Sequence, residues 1–162
     1  MTTPLPEIER RPPVLAKELL ASTVFLLGRL GYAIKGRALE EFEAAGFSMY
    51  QYSVLAMVGE ESRTSQATIA DALGLDRSQL VGVLDDLEER GLIERRRDPE
   101  DRRRHMVSLT AEGKRQLVRL RAIGKRLEEA FLAPLDEKER AKLHDTLLKV
   151  ASTYDCRFER KS

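Results

Sequence analysis

Apolar residues recur at helical spacing along most of the chain, and this pattern predicts a mainly α-helical protein. Over residues 14–35 the apolar stripe is wide, which predicts one long, deeply buried helix that another subunit helps to cover. A short helix is expected over residues 37–45, ended by Gly46, and another over residues 48–61, capped by Ser48. The first part of the chain is therefore expected to form a helical layer.

The next stretch predicts two helices joined by a short turn. Residues 65–73 read as a helix that ends at Gly74, and Asp76 caps a second helix that Gly91 ends. The apolar positions of the second helix follow the i, i+3, i+4, i+7 rule: Leu80, Val83, Leu84 and Leu87. A turn of about three residues containing glycine between two helices is typical of a helix-turn-helix.

After Gly91 the period changes from helix to strand. Residues 93–97 and 105–110 alternate between apolar and polar side chains, with the turn-forming sequence DPEDRRR between them, which predicts a β-hairpin. A long helix follows from about residue 111 to Pro134, and a D-x-x-E sequence at residues 136–139 begins the last helix. The predicted fold class is mainly α, or α+β by a strict count of strands.

Composition supports one soluble, folded domain. The chain has 162 residues, of which 42% are hydrophobic, and this argues against a disordered chain. The single cysteine, Cys156, excludes an internal disulfide, and residues 1–13 form a proline-rich arm without a signal sequence. No uncharged run is long enough to cross a membrane, so a cytoplasmic location is expected.

Total charge at first argues against binding to DNA, because the formal net charge is only +1. The distribution changes this interpretation, since residues 1–92 carry a net charge of −5 and residues 93–162 carry +6. Six arginines and three acids lie within residues 95–104 of the hairpin. They form either a solvated hairpin of mixed charge or a DNA-binding wing, and arginine next to a helix-turn-helix favours the wing.

The first turns of the second helix supply candidates for base recognition. Gln79 is suited to pair with adenine, Arg77 with guanine or a phosphate, and Val81 with a thymine methyl group. The alternative is that these side chains only solvate the end of a helix. The complete candidate set on this helix is Arg77, Ser78, Gln79, Val81 and Gly82. Acidic residues in the second half of the helix would repel phosphates, so only its first two turns are expected to enter the groove.

Three motifs in order resemble the MarR family of transcriptional regulators. They are L-E-x-x-G-L-I-x-R at residues 87–95, D-P-x-D-x-R at residues 98–103 and L-T-x-x-G at residues 109–113. The resemblance implies a triangular homodimer with two winged helices, in which Arg103 enters the minor groove supported by Asp101. Arg102 and Arg104 are alternatives for that role, and Arg97 completes the candidate wing set.

One departure from the family pattern lies in the recognition helix. Family members often carry Thr and Arg where this chain has Val81 and Gly82. Fewer base contacts are therefore expected, with the wing contributing a larger share of the binding.

The resemblance also implies the domain organisation and the partners. Residues 14–155 are expected to form one MarR-type domain, with the helix-turn-helix at 65–90, the wing at 93–110 and dimerisation helices at 14–46 and 111–155. The expected partners are double-stranded DNA, a second copy of the chain and a small effector, often phenolic or otherwise aromatic. The expected function is repression of a pseudo-palindromic operator that the effector relieves.

The position of the family's effector pocket points to four residues here: Arg29, Tyr32, Met49 and Tyr52. Cys156 is interpreted as an ordinary thiol, because it lies near the C-terminus and not in the first helix. His105 and His144 are interpreted as ordinary histidines, so no metal and no cofactor is expected.

Two other classes of function compete with a DNA-binding regulator. An enzyme is disfavoured, since the sequence has no nucleophile elbow, phosphate-binding loop or dinucleotide fingerprint. A helical interaction or architectural module whose arginine hairpin binds an acidic protein surface remains the alternative. Sequence-specific and salt-dependent binding to a DNA duplex would distinguish the regulator from that module.

Overall fold

The computed structural model describes residues 14–61, 64–101 and 104–158. Its helices are α1 (Lys17–Ala21), α2 (Thr23–Ala44), α3 (Met49–Glu60), α4 (Gln66–Leu73), α5 (Arg77–Glu89), α6 (Ala111–Phe131) and α7 (Glu137–Tyr154), followed by a 3₁₀ turn at Cys156–Phe158. Its strands are β1 (Thr64–Ser65), β2 (Ile93–Arg97) and β3 (His105–Leu109). The mainly helical fold class predicted from the sequence is confirmed.

The first helical segment differs from the prediction in two ways. Ser22 adopts an extended conformation and its hydroxyl accepts a hydrogen bond from the Phe25 N–H, so the segment is divided into α1 and α2. The predicted interruption near Gly36 is wrong, because α2 continues through this glycine to Ala44. A single glycine weakens a helix without ending it, whereas Gly46 has a φ of 78° and ends the helical conformation.

The predicted helix caps are confirmed at the residues named from the sequence. Ser48, Asp76 and Asp136 each form a capping box with the residue three positions later. The Thr110 hydroxyl caps α6 by accepting a hydrogen bond from the Gly113 N–H. These bonds satisfy the first free N–H groups of each helix and fix where it begins.

The chain divides into two compact units at Lys35 and Gly36, within α2. In the first unit most apolar side chains are exposed, for example Val24 at 80% and Leu30 at 54%, whereas Phe25 is half-buried. The deep burial predicted for residues 14–35 is not found within the described residues of the single chain, and cover by another subunit stays a prediction.

The second unit contains the hydrophobic core and a small antiparallel sheet. The strand order is β1-β3-β2, and the β2–β3 hairpin pairs Ile93 with Leu109 and Arg97 with His105. The sequence predicts the hairpin but not β1, which adds a third strand by pairing with residues 106–107. The central buried residues come from α2–α6 and the hairpin, and include Phe42, Leu55, Ile69, Leu84, Leu87, Ile93, Val107 and Leu120.

Candidate nucleic-acid interface

Helix α5 presents one buried and one exposed face. Leu80, Leu84 and Leu87 pack into the core, which fixes the rotation of the helix about its axis. All five candidate recognition residues are exposed: Arg77, Ser78, Gln79, Val81 and Gly82. Because the buried stripe points inward, the N-terminal turns of α5 form a solvent-facing ridge.

Two grooves flank this ridge. The first, of about 370 Å³, lies between α5, the start of α4 and the base of the wing, and its lining includes Arg77, Val81 and Arg104. We call it the wing groove. The second, of about 360 Å³, lies between α5 and the start of α3, and its lining includes Gln79 and Gly82. The exposed part of α5 can therefore be approached from both sides.

The charges in the wing groove favour an anion. Arg77, Arg104 and His105 line it together with Ser65, the residue that caps α4. The free N–H groups at the start of a helix carry a partial positive charge, which adds to that of the arginines. Two arginines from different elements thus converge at one groove, and a phosphate group of a nucleic acid matches this charge.

Asp76 places a carboxylate at the start of the ridge. Its Oδ1 accepts hydrogen bonds from the Gln79 N–H at 2.8 Å and the Ser78 hydroxyl at 2.8 Å. The pKa of Asp76 is lowered by these bonds, chiefly the one from the Gln79 backbone. The Gln79 side chain returns the interaction, since its Oε1 accepts the Asp76 N–H at 3.3 Å. The Gln79 amide oxygen thus already serves the cap of α5.

Arg95 is directed toward α5. Its guanidinium donates to Glu88 at 2.5 and 2.8 Å and contacts Asp85 at 2.7 Å, while its backbone N–H donates to Glu88 Oε1 at 3.0 Å. The hydrogen bond from the Arg95 side chain lowers the pKa of Glu88. One of the six hairpin arginines thus connects the wing to the recognition helix. Sequence reasoning missed this role, although Glu88 and Arg95 both lie in the 87–95 motif.

The remaining wing residues divide into described and undescribed positions. Arg97 is exposed and pairs with His105 across the hairpin, and Arg96 forms an ion pair with Glu94 at 2.8 Å. The Asp101 carbonyl accepts the Arg104 N–H at 2.9 Å, just before β3 begins. Arg102 and Arg103, two of the predicted wing residues, lie outside the described residues.

Helix α3 supports the recognition helix from the other side. The Gln51 side chain accepts the Ser48 N–H at 2.6 Å and donates to Asp86 at 2.5 Å, so one amide serves both the cap of α3 and a contact to α5. Arg90 stacks over the Phe47 ring at 4.1 Å. Three acidic residues in the second half of α5, Asp85, Asp86 and Glu88, therefore make contacts within the protein.

The four predicted effector residues belong to different units. Arg29 and Tyr32 lie on α2 in the first unit, where both are exposed. Met49 and Tyr52 lie on α3 in the second unit and are half-buried against its core. The Tyr52 ring stacks on Phe42 at a centroid distance of 4.8 Å. A shared pocket for these residues stays a prediction.

Other candidate chemistry is sparse in the part of the chain that the structure describes. Cys156 is exposed, and no group of three or more His, Cys, Asp or Glu side chains there is arranged to hold a metal ion. Within the same ranges, no helix has the length and apolar character needed to cross a membrane.

An exposed N-terminal ridge on the second helix of a helix pair, followed by an arginine-rich antiparallel hairpin, defines a winged helix-turn-helix protein of the DNA-binding class. A profile of the MarR family matches residues 47–105. A putative transcriptional regulatory protein for the hcr operon of Thauera aromatica is 31% identical over 126 residues, covering 73% of this chain and 76% of that protein.

Solved structures agree with this assignment. CouR from Rhodococcus jostii RHA1, bound to p-coumaroyl-CoA, is 32% identical with a TM-score of 0.71, covering 84% of this chain and 96% of that one. PcaV from Streptomyces coelicolor, in complex with its natural ligand, is 33% identical with a TM-score of 0.68, covering 88% of this chain and all of that one. The chain belongs to the MarR family of transcriptional regulators.

Proposed function

We propose that the protein is a homodimeric repressor that binds a pseudo-palindromic operator and leaves it when a small aromatic ligand binds. The observation that carries the DNA-binding part is the α5 ridge beside a groove lined by Arg77, Arg104 and the start of α4. In this arrangement the first two turns of α5 enter the major groove, and phosphates lie at the wing groove.

The base contacts are proposed for the exposed side chains of the ridge. Arg77 is placed to contact guanine or a phosphate and Val81 a thymine methyl group, while Ser78, Gln79 and Gly82 face the α3 side of the ridge. The wing is proposed to reach the minor groove through Arg103, with Arg97, Arg102 and Arg104 beside it and Asp101 in support. Because Gln79 is held in the cap of α5, the wing carries much of the affinity.

The dimer is supported by apolar side chains that the single chain leaves in water. In the first unit, Val24 and Leu30 are more than half exposed. On α7, Val150 is 50% exposed and Tyr154 is 86% exposed. So many large apolar side chains exposed along a helix favour an interface with another chain. A second copy that covers these helices would also set two recognition helices one helical turn of DNA apart.

The ligand class is proposed from the relatives. CouR is solved with p-coumaroyl-CoA, which carries a phenolic ring, and PcaV is solved with its natural ligand. We place the effector at Arg29, Tyr32, Met49 and Tyr52, where an arginine is available for an anionic group and tyrosines for a ring. Binding there would release DNA by favouring a spacing of the two winged helices that does not match the operator.

Selection of binding sites from random duplex DNA with the purified full chain tests the proposal. We expect a pseudo-palindrome bound by two chains, with an affinity that falls steeply as salt increases. Arg77→Gln should weaken this binding, whereas Arg126→Gln removes the same charge far from the ridge on α6 and serves as the matched control. Equal affinity for the selected site and random duplex at physiological salt would refute the repressor and favour the protein-interaction module.

The dimer and the ligand have separate measurements. Sedimentation should give twice the chain mass of 18.4 kDa, and Leu30→Asp should shift it toward the monomer. Phenolic acids and their coenzyme A thioesters should then be titrated into the protein–DNA complex. If none of them lowers the affinity for DNA while the protein remains dimeric, the ligand class proposed here is wrong.

A further inference from the structure

Helix α4, the first helix of the helix-turn-helix, ends with two carbonyl groups that its own C-terminal turn does not satisfy. At its C-terminus Gly74 adopts a left-handed conformation, and the Gly74 and Leu75 N–H groups both donate to the Ala70 carbonyl. The next two carbonyls, of Asp71 and Ala72, receive no bond from this turn. The helix carries no basic residue in its last turn, where a cation would be favourable.

Arg157 supplies that cation from the far end of the chain. Its Nη1 donates to the Asp71 carbonyl at 3.2 Å and to the Ala72 carbonyl at 3.3 Å, across a separation of 85 to 86 residues. A positive group at these carbonyls satisfies two acceptors and also matches the negative end of the helix dipole. The 3₁₀ turn at Cys156–Phe158 thus contacts the DNA-binding helix pair directly.

Asp155 holds the guanidinium in this orientation. Its carboxylate accepts from Arg157 Nε at 2.9 Å and from Nη2 at 2.5 Å, and it also accepts the Arg157 backbone N–H at 2.9 Å. These bonds, chiefly those from the Arg157 side chain, lower the pKa of Asp155. With Nε and Nη2 bound to Asp155, Nη1 is left to point at α4.

The contact lies at the turn that orients the recognition helix. Gly74 leaves room for the guanidinium, since a Cβ at this position would be 3.2 Å from Arg157 Nη1. Only Leu75 separates Gly74 from Asp76, which caps α5. Movement of the end of α4 would therefore change the direction in which α5 leaves the turn.

We propose that Arg157 is a positioning residue for DNA binding, which holds the α4–α5 turn through the Asp71 and Ala72 carbonyls. The inference rests on the proposed function for its consequence, but Arg157 itself lies outside the 47–105 segment that the family profile matches, whereas the carbonyls that it binds lie inside it. Since the Arg157 side chain is 48% exposed, solvent weakens the contact, and its loss should cost about two- to fivefold in operator affinity.

Arg157→Gln and Asp155→Asn in the full chain test the proposal. Arg126→Gln is the matched control, because Arg126 is also an exposed arginine in an ion pair but contacts neither α4 nor the turn. Stoichiometric titration with operator DNA gives the active fraction, so a loss of affinity is separated from a loss of folded protein. Amide hydrogen exchange at Gly74 and Leu75 reports on the turn without DNA.

Both variants should weaken operator binding with an unchanged salt dependence and an unchanged active fraction, and exchange at the turn should be faster. Arg157→Lys should restore part of the affinity, because an ammonium group can donate to the same carbonyls. Affinity and exchange equal to those of Arg126→Gln would overturn the proposal. The proposal would also be overturned if the variants lowered the slope of log affinity against log salt concentration by about one unit, since Arg157 would then bind a phosphate itself.

The two proposals fail in different ways. If the wild-type chain does not discriminate between DNA sequences, the repressor proposal fails, while faster exchange in Arg157→Gln would still support Arg157 as the residue that holds the turn. If operator binding is specific but neither readout changes in the variants, only the role of Arg157 is refuted.

Discussion

Replacing Glu88 by Gln tests whether the charge between Arg95 and α5 stabilises the winged helix. Gln keeps the size of the side chain and an oxygen that can accept the Arg95 N–H, so the variant mainly removes a negative charge. The carboxylate receives three hydrogen bonds from Arg95, at 2.5, 2.8 and 3.0 Å. Charge-assisted bonds contribute about 1.5–3 kcal/mol, and partial exposure of the pair reduces this to about 1–2 kcal/mol.

The pH dependence separates charge from packing. The Arg95 hydrogen bond holds the pKa of Glu88 below its ordinary value of 4.5. A carboxylate whose pKa is lowered by folding stabilises the protein above the unfolded pKa, and this stabilisation is lost as pH falls through the folded pKa. The difference between wild type and Glu88→Gln should thus be full at pH 7 and should narrow below about pH 4.5.

Urea unfolding at several pH values measures this difference. Glu112→Gln is the matched control, because Glu112 also pairs with an arginine but does so within the first turn of α6. It should have a smaller effect, as both partners are exposed neighbours on one helix. If Glu88→Gln were as stable as wild type at pH 7, or if its loss of stability were the same at pH 4 and pH 7, the electrostatic explanation would be refuted.

Three further predictions concern single positions. Gly113→Ala should destabilise the protein by more than about 3 kcal/mol, because the new Cβ would overlap the Leu92 carbonyl; a normal urea midpoint would contradict this. Gln79→Ala should relax discrimination at one base pair and also weaken the cap at Asp76. Gln79→Glu should keep the cap but bind DNA less well. Binding-site selection measures the effect on DNA recognition, and thermal unfolding measures the effect on the cap. Arg103→Ala should weaken binding to every sequence and lower the salt slope by about one unit, and unchanged affinity in a filter-binding assay would exclude the placement of the wing.

Interactions between near neighbours were readable from the sequence. The caps at Ser48, Asp76 and Asp136 bind the residue three positions later, so their partners are present wherever the helix forms. The two helices around Gly74 and the β2–β3 hairpin followed from periodicity and turn residues in the same way. Together these local signals were enough to predict a winged helix-turn-helix.

Charge was predicted less well than architecture. The sequence places six arginines within residues 95–104 and predicts one basic hairpin, yet Arg95 binds α5 and Arg96 binds Glu94. Spacing along the chain does not determine which arginine points to a neighbouring helix and which to solvent, because that depends on the packing of the hairpin against α5. The basic surface of the described wing is therefore smaller than its composition indicates.

The sequence by itself determined the order of the helices, the positions of their caps and the exposed face of α5, since each depends on residues within about four positions of one another. Tertiary structure alone decided the pairing of β1 with β3, the contact of Arg95 with Glu88 and the contact of Arg157 with the end of α4. The partners of β1 and of Arg157 lie about 40 and 86 residues away along the chain. No periodic pattern in the sequence connects residues that are so far apart. Even the short segment from Glu88 to Arg95, a separation of seven positions, crosses from a helix into a strand, so only the folded chain brings these two side chains together.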